Sequence, residues 1–272
     1  MKSLKNQYQN PDLEANSIAE LSKKLLQVTK DLSKRNAELA ESERKRKEML
    51  ANISHDLRAP LTAIRSAVDL LDSYDEPSKE EVTNALGLIN RRLSTLESLI
   101  QDMYFLFCVE DDNREFAFEE VDLAPFLESY FYDATVDSRY DNHDMKLDIP
   151  MDLDCRVNID VQKTIRVLDN LFVNAAKYSG DGTSITLSCK TSDGQAVITI
   201  SDNGVGIPAE ALSHVFERTY TVSHSRSPIS ETGSGLGLAI VKAVIEKESG
   251  RIHCESEINK GSRFIIELPL IS

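Results

Sequence analysis

Residues 54–60 combine a histidine, an adjacent carboxylate and a nearby proline within a run of helical periodicity. The surrounding apolar residues recur at three- and four-residue steps, which predicts an amphipathic helix. His55 is two positions from both Ile53 and Leu57, so the helical repeat directs it away from the apolar stripe. An exposed imidazole, with a pKa near ~6.5, is mostly neutral at neutral pH and can act as a nucleophile.

A second group of polar residues falls on one face of a helix that the sequence predicts from Asp160 to Ser179. This face carries two amides, an ammonium and a phenol, where charged residues would usually dominate: Asn170, Asn174, Lys177 and Tyr178. Amide oxygens can bind Mg²⁺, and an ammonium can pair with phosphate. Taken alone, the helix is compatible with a phosphate ligand but does not specify one.

Two glycine-rich segments follow this helix. Residues 201–208 come directly after an alternating strand and contain Asp202, Gly204 and Gly206, a composition that an ordinary turn would also explain. Residues 232–240 carry alternating glycines that run into a helix, where backbone N–H groups can approach phosphate. These residues are Gly233, Gly235 and Gly237, with Leu236 between the last two. The lysine pattern of a P-loop is absent from the sequence, which excludes that class of site.

The order of the motifs decides between these interpretations. The chain presents His-Asp-x-Arg-x-Pro, Asn-x-x-x-Asn-x-x-Lys-Tyr, Asp-x-Gly-x-Gly-Ile, Phe-Glu-Arg and Gly-x-Gly-Leu-Gly-Leu, in that order. This set closely resembles the catalytic half of bacterial two-component sensor histidine kinases, from about residue 45 to residue 270. The resemblance implies a phosphoacceptor helical hairpin followed by an ATP-binding domain of the Bergerat type.

The resemblance also implies a reaction. His55 would be the phosphoacceptor, and Asp56 the neighbouring acid that helps to take the imidazole proton. His55 would attack the γ-phosphate of Mg-ATP, and the phosphoryl group would then pass to an aspartate of a response regulator. The other histidines lack the acid and proline context, so we interpret them as structural or surface residues: His143, His214, His224 and His253.

Residues that hold the phosphates are assigned by the same resemblance. Asn174 would bind Mg²⁺, and Asn170 would complete an asparagine pair one turn earlier. Lys177 and Tyr178 match positions near the nucleotide phosphates and sugar. Arg218 resembles the arginine that stabilises charge at the γ-phosphate, a role suited to phosphoryl transfer.

The base pocket and the lid are assigned in the same way. Asp202 would accept a hydrogen bond from the adenine amino group, while Gly204 and Gly206 would shape the pocket. A mobile lid would run from about residue 221 to residue 232. The segment where this lid meets phosphate would include Gly233, Gly235, Leu236 and Gly237.

Length and composition limit the class of protein. The chain has 272 residues, 41% of them hydrophobic, which is enough for one large or two modest folded domains. Its net charge of −14 argues against a nucleic-acid-binding protein, because phosphate contacts require clustered Lys and Arg. No apolar run approaches the ~18 residues of a transmembrane helix. We therefore expect a cytoplasmic chain, associated with a membrane only if an upstream sensor region precedes this sequence.

Helix signals near the beginning of the chain predict one long helix. Asn10 matches an N-cap and Pro11 the first helical position, and no stop signal follows until residue 72, which implies a helix of about 60 residues.

The pattern along the chain predicts three regions. Residues 1–45 follow a heptad repeat, which indicates an N-terminal coiled-coil signalling helix. Residues 46–110 form a dimerisation and phosphotransfer hairpin, whose second helix opens with the capping-box pair Ser78 and Glu81. One hairpin leaves its apolar stripes half covered, so we expect a homodimer with a four-helix bundle. Residues 116–272 mix strands and helices, beginning with a short strand near Phe116, which indicates an α/β sandwich and hence an α+β multidomain chain.

The heptad register changes just before His55. Apolar positions are separated there by an additional four-residue step, a stutter that locally unwinds a supercoil. One interpretation is a seam where a two-stranded coil widens into a bundle. The other is a device that converts rotation of the coil into exposure of His55. The first interpretation is the simpler and is favoured.

The sequence departs from the family pattern in two places. Ala59 stands where family members often have Thr or Asn, side chains linked to removing phosphate from the partner regulator. Alanine cannot position a water, so we expect weak phosphatase activity. Thr219 and Thr221 stand where an aromatic and a basic residue are common, which puts the phosphate-facing surface after Arg218 in doubt.

Two other functions would account for part of these motifs. A catalytically silent dimeric scaffold would keep the fold but would have no use for Asn174, Asp202 and the lid glycines. A Bergerat-fold ATPase of another class, such as a gyrase- or chaperone-type enzyme, would share the nucleotide site. The adjacent pair His55 and Asp56, together with the dimerising hairpin, favours the kinase.

Overall fold

The computed structural model describes residues 11–74, 77–111, 114–180, 182–218, 220 and 235–271. The chain divides into two compact units, residues 1–55 and residues 56–272. No helix in the described part of the chain carries an apolar stretch that is long enough to span a bilayer. The three region boundaries predicted from the sequence remain a prediction.

Helix α1 spans Pro11–Asp72, which confirms the predicted helix of about 60 residues. The predicted N-cap, Asn10, lies outside the described residues. In the first unit the apolar seam positions of α1 are exposed, with exposed fractions between 55% and 63%: Leu21, Leu25, Val28, Leu32 and Leu39. Exposed leucines at heptad spacing are typical of a helix that pairs with another helix.

Helix α2 spans Lys79–Glu110 and begins with the predicted capping box. The Ser78 backbone N–H donates to Glu81 Oε2 at 2.8 Å, and the Glu81 backbone N–H donates to Ser78 Oγ at 3.2 Å. This reciprocal pair satisfies two backbone donors that the first turn of a helix leaves without partners. The C-terminal half of α2 buries Leu99, Asp102, Leu106 and Val109.

The remainder of the second unit is a mixed sheet with helices. Strands β2, β4, β5, β7 and β6 form the main sheet in that order, and only the β2–β4 pair is parallel. A separate antiparallel pair joins β1 to β3. The elements are β1 Glu119–Asp122, α3 Leu123–Thr135, β2 Asp144–Asp148, β3 Arg156–Ile159, α4 Val161–Tyr178, β4 Ser184–Ser192, β5 Gln195–Asp202, α5 Ala209–Leu212, α6 Gly237–Lys247, β6 Arg251–Glu257 and β7 Gly261–Pro269.

The core lies between the sheet and helices α4 and α6. Ile185 and Leu187 of β4, and Ile198 and Ile200 of β5, are buried because alternate residues of a strand point to the same face. Helix α4 contacts both β4 and β5, and α6 contacts both α4 and β6. The predicted α/β sandwich is therefore confirmed.

The segment before β1 differs from the sequence prediction. A strand was expected near Phe116, but β1 begins at Glu119. The Phe116 ring lies under the Lys163 ammonium, at 4.3 Å from its centroid, and the Ala117 backbone N–H donates to Asp160 Oδ2 at 3.0 Å. Side-chain contacts with the start of α4, instead of strand pairing, therefore hold this segment.

A buried acidic cluster joins the beginning of α4 to the end of α6. Glu248 is only 3% exposed, and its Oε1 accepts from the Asp160 backbone N–H at 3.1 Å and from Thr164 Oγ1 at 2.9 Å. Lys163 pairs with the Asp160 carboxylate beside it. Burial raises the pKa of Glu248 to about 7, with the nearby Asp160 charge acting in the same direction.

We predict that Glu248→Gln stabilises the fold at pH 8 but has less effect at pH 5. A raised folded-state pKa means that the protonated acid is the favoured form, so its stabilisation is lost as the pH rises through about 7. Between pH 5 and pH 8, the free energy of unfolding of the variant should gain about 1–3 kcal/mol relative to the unsubstituted protein. Urea unfolding at both pH values measures this difference. The exposed residue Glu210 supplies the control Glu210→Gln, and an equal pH effect in both variants would contradict the prediction.

Candidate nucleotide-binding site

Helix α4 carries the predicted polar face. Asp160 caps its N-terminus by accepting from the Lys163 backbone N–H, and its buried face includes Leu168, Leu171 and Phe172. This burial fixes the rotation of the helix, so the opposite side is turned away from the core. Asn170, Asn174 and Lys177 are half-buried there, and Tyr178 is exposed at the last turn.

Asn170 lies where α4 meets the beginning of α6. Its Nδ2 donates to the Arg166 carbonyl oxygen at 2.9 Å, which holds the side chain against its own helix. A Cβ placed on Gly237, the first residue of α6, would lie 2.8 Å from Asn170 Oδ1. The absence of a side chain at position 237 thus lets the N-terminus of α6 approach the asparagine face of α4 closely. Helix N-termini favour anions because their backbone N–H groups lack helical partners.

Asp202 ends strand β5 beside the C-terminus of α4. Its Oδ1 accepts from the Gly204 backbone N–H at 2.8 Å. The Val205 backbone N–H donates to the Tyr178 carbonyl oxygen at 3.1 Å, and a Cβ on Gly204 would lie 2.4 Å from that oxygen. The loop after β5 thus packs directly on the end of α4. Burial raises the pKa of Asp202, although the Gly204 hydrogen bond opposes the shift.

Gly206 is required by both its backbone conformation and its surroundings. Its φ is +70°, and a Cβ there would lie 2.1 Å from the Glu257 carbonyl oxygen at the end of β6. The Ile207 backbone N–H donates to Ser256 Oγ at 2.8 Å, which joins the same loop to β6. The loop after β5 is therefore held between α4 on one side and β6 on the other.

Sequence reasoning missed Gly261 and Ser256. Gly261 has φ +99°, and a Cβ there would lie 1.9 Å from the Asp202 carbonyl oxygen. Ser256 Oγ donates to the Gly261 carbonyl oxygen at 2.7 Å. The only local signal is an Asn-Lys-Gly turn between two strands, which identifies a hairpin but not its contact with Asp202.

Arg218 follows α5 and contacts a different part of the second unit. Its guanidinium forms an ion pair with Glu110, the last residue of α2, and burial lowers its pKa. Thr219, Thr221 and Gly233 lie outside the described residues, as does the rest of the predicted lid. Gly235 and Leu236 are described, and they lead into α6.

The predicted phosphoacceptor pair lies on α1. His55 and Asp56 are consecutive residues of this helix, and Pro60 lies within it. The sequence-predicted residues of the nucleotide site, by contrast, come from α4, the loop after β5 and the beginning of α6. Their assigned roles remain predictions.

The residues present fit a nucleotide with a bound cation. Glycines leave room for backbone approach, a carboxylate ends β5, and the amide oxygens of Asn170 and Asn174 are hard donors of the kind that Mg²⁺ prefers. In the described ranges, no group of three or more His, Cys, Asp or Glu side chains is placed to hold a metal ion. A cavity of about 400 Å³, lined in part by Tyr130, Asp133 and Asp169, involves none of the predicted site residues.

Comparison with known proteins identifies both parts of the chain. Residues 45–111 match the His Kinase A (phospho-acceptor) domain, and residues 159–272 match the histidine kinase-, DNA gyrase B- and HSP90-like ATPase family. The sensor histidine kinase YcbM of Bacillus subtilis strain 168 is 31% identical over 236 residues, covering 86% of this chain and 74% of YcbM. The chain belongs to the sensor histidine kinases. The resemblance seen in the motifs is thereby confirmed, and the ATPase family match implies that the kinase binds ATP.

The kinase is also similar to longer relatives. WalK of Bacillus subtilis strain 168 is 31% identical over 84% of this chain, which spans 37% of WalK. SrrB of Staphylococcus aureus is 28% identical, and the chain spans 38% of it. The chain thus spans little more than a third of the length of these two relatives.

Solved histidine kinases share the fold. ThkA, solved in complex with the response regulator protein TrrA, superposes with a TM-score of 0.65 at 25% identity, covering 82% of this chain and 61% of ThkA. AdeS of Acinetobacter baumannii superposes with a TM-score of 0.60 at 24% identity, covering 80% of this chain and 98% of AdeS. A helical part followed by an α/β ATPase domain is therefore the architecture of the kinase.

We predict that Gly206→Ala destabilises the kinase and weakens nucleotide binding more than Gly182→Ala does. Both glycines have positive φ, but a Cβ at position 182 meets no atom within 4 Å. The Gly182 variant should therefore lose about 1 kcal/mol of unfolding free energy from backbone strain alone. The Gly206 variant should lose more, because the Cβ meets a backbone carbonyl that cannot move away. Thermal unfolding and titration with ADP measure the two effects, and equal losses in both variants would disprove the proposed packing constraint.

Proposed function

We propose that this chain phosphorylates its own His55 from Mg-ATP and passes the phosphoryl group to an aspartate of a response regulator. The arrangement at α4 carries the proposal, because Asn170 is placed where the glycine-bounded N-terminus of α6 begins. That arrangement provides amide oxygens for a cation and backbone donors for phosphate in one place. The motif of His55 and Asp56 supplies a nucleophile with an adjacent base.

The first step of the proposed reaction is transfer of the γ-phosphoryl group to His55. The imidazole nitrogen of His55 forms a bond to the γ-phosphorus as the bond from that phosphorus to the ADP oxygen breaks. Asp56 takes the proton that the imidazole loses. Arg218 would stabilise charge on the transferred group, and Asp202 would orient the adenine. A bound Mg²⁺, held by Asn174 with Asn170 nearby, would neutralise phosphate charge.

The other assigned residues act on binding. Lys177 would contribute a positive charge near the phosphates, and Tyr178 an aromatic ring near the sugar. Gly204 and Gly206 would allow the base to approach the backbone. The segment of Gly233, Gly235, Leu236 and Gly237 would present N–H groups to phosphate at the start of α6.

A response regulator and a second copy of this chain are the proposed partners. The regulator is supported by ThkA, which was solved in complex with one. The second copy is supported by apolar residues of the hairpin that are 42–54% exposed in one chain: Leu61, Val68, Leu86, Leu93 and Ile100. We propose that residues 46–110 of two chains bury these side chains in a four-helix bundle, with residues 1–45 as the coil and residues 116–272 as the catalytic domain.

The alternative functions have less support. The ATPase family match includes gyrase- and HSP90-like proteins, but the phosphoacceptor match at residues 45–111 is specific to histidine kinases. A scaffold without catalysis would have no use for the Asp202 carboxylate that the Gly204 backbone N–H orients at the end of β5. Both observations favour the kinase.

We predict that γ-labelled ATP gives acid-labile, alkali-stable label that is absent in His55→Gln. Asn174→Ala should reduce the label by about tenfold or more, because it removes the proposed cation ligand. His253→Gln, a substitution at an exposed histidine of β6, is the matched control and should label normally. ATP hydrolysis without label would indicate an ATPase of another class, and a folded protein that binds no nucleotide would indicate a scaffold.

We predict that Ala59→Thr increases dephosphorylation of the phosphorylated regulator. Ala59 lies on the exposed surface of α1, one turn after the phosphoacceptor, and its methyl group cannot hold a water. The measurement is the rate at which purified phospho-regulator releases phosphate after the kinase and ADP are added. Autophosphorylation of the same variant is the control and should change little. Rapid release of phosphate in the presence of the unsubstituted kinase would contradict the expectation that Ala59 makes phosphatase activity weak.

A further inference from the structure

The cavity of about 400 Å³ lies in the second unit, between α3, α4 and the short turn of 3-10 helix at Ser138–Tyr140. None of the residues proposed to bind nucleotide or to accept phosphate lines it. Its volume is within the range of pockets that hold small molecules. The cavity is therefore large enough for a ligand other than the nucleotide.

Two tyrosine rings line the cavity, and one buried phenylalanine holds both of them. The Tyr130 ring meets Phe172 edge to face, with 5.3 Å between the ring centroids, and the Tyr140 ring meets Phe172 in the same way at 6.0 Å. Phe172 is fully buried, and edge-to-face contacts favour a defined orientation of each ring. Phe126 and Ile165 add apolar surface to the same cavity. Its aromatic wall is thus formed before any ligand binds.

The Tyr140 hydroxyl is a buried polar group that lacks a hydrogen-bond partner. The residue is only 3% exposed, and no atom in the described part of the chain bonds to its Oη. The Tyr130 hydroxyl, by contrast, donates to Asp169 Oδ1 at 3.0 Å. Burial raises the pKa of Tyr140 to about 12, so the hydroxyl keeps its proton at neutral pH. A buried hydroxyl without a partner is unfavourable, so a polar ligand atom beside it would be stabilised.

Carboxylates outnumber cations on the walls of the cavity. Asp137 is already paired, because its Oδ2 accepts from Arg139 Nη2 at 2.6 Å. Asp133 and Asp169 also line the cavity, and within the described ranges neither of them forms an ion pair. Two unpaired carboxylates beside aromatic rings attract a cation and repel a phosphate or any other anion.

The chemistry of the walls favours an organic cation over a metal ion. Among the described residues, no group of three or more His, Cys, Asp or Glu side chains is placed to hold a metal ion. A metal ion would also gain nothing from the apolar side chains, whereas the hydrocarbon part of an organic amine would be removed from water there. A primary ammonium group carries three donors, which match two carboxylates and one hydroxyl.

We propose that this cavity is a second ligand site, which binds a small primary organic amine through Asp133, Asp169 and the Tyr140 hydroxyl. The ammonium group pairs with the two carboxylates and donates to Tyr140 Oη, which supplies the hydrogen bond that this atom lacks. The hydrocarbon part of the amine lies against Phe126 and the tyrosine rings. The proposal does not depend on the proposed kinase function, because none of these residues belongs to the candidate nucleotide site.

We predict that phenethylamine binds the purified chain saturably, and that phenethyl alcohol, which has nearly the same shape but no charge, binds about tenfold more weakly or worse. Asp169→Asn should weaken binding of the amine by about tenfold or more, because it removes one carboxylate and keeps an acceptor for Tyr130. Asp141→Asn makes the same charge change at an exposed residue outside the cavity and should leave the affinity unchanged. Calorimetric titration at neutral pH measures these affinities.

Tyr140→Phe distinguishes a ligand-binding role of the hydroxyl from a structural one. The variant should bind phenethylamine about threefold or more weakly. The unfolding temperature of the ligand-free protein should stay the same or rise, because the substitution removes a buried hydroxyl that has no partner. A lower unfolding temperature with unchanged affinity for the amine would show a structural role only and would overturn the proposal.

Three further results would also overturn the proposed amine site. They are an absence of saturable binding of phenethylamine to the unsubstituted protein, equally tight binding of the alcohol, and equal affinities for the amine in Asp169→Asn and Asp141→Asn. Circular dichroism establishes that each variant is folded before titration.

Discussion

Close backbone contact at the end of β5 is the constraint on which the candidate site depends. Gly204 approaches the end of α4, Gly206 approaches the end of β6, and Gly261 approaches the Asp202 carbonyl. None of these contacts leaves room for a side chain, because each places the would-be Cβ within 2.4 Å of a carbonyl oxygen. Main-chain contacts with the end of α4, the end of β6 and the beginning of β7 consequently fix the position of Asp202.

Close main-chain contacts surround the end of β5 at Asp202. A carboxylate that is partly buried and oriented by the Gly204 N–H presents a defined acceptor to a ligand. At Gly237, α6 begins against the Asn170 side chain. Glycines thus lie at close contacts at both ends of the candidate site, although different helices and strands supply them.

Local patterns in the sequence predicted most of the helices and strands. They could not predict contacts between residues that are far apart in the chain. Helix α1, the capping box of α2 and the limits of α4 follow from periodicity and capping residues, which are properties of neighbouring residues. The motif order likewise located Asn170, Asn174 and Asp202 on the elements where they are found. Gly261 and Ser256 were missed because their contacts join a hairpin turn to a strand end some sixty residues earlier. The displaced start of β1 has the same origin, since Asp160 and Lys163 hold the preceding segment.

Side-chain ion pairs, unlike these glycine contacts, can be exchanged without rebuilding the fold. The ion pair of buried Asp102 with partly exposed Arg166 joins α2 to α4, and Arg218 and Glu110 meet where water still reaches both groups. Main-chain contacts hold the loop after β5, whereas the Arg218 guanidinium is held by a side-chain ion pair that water reaches.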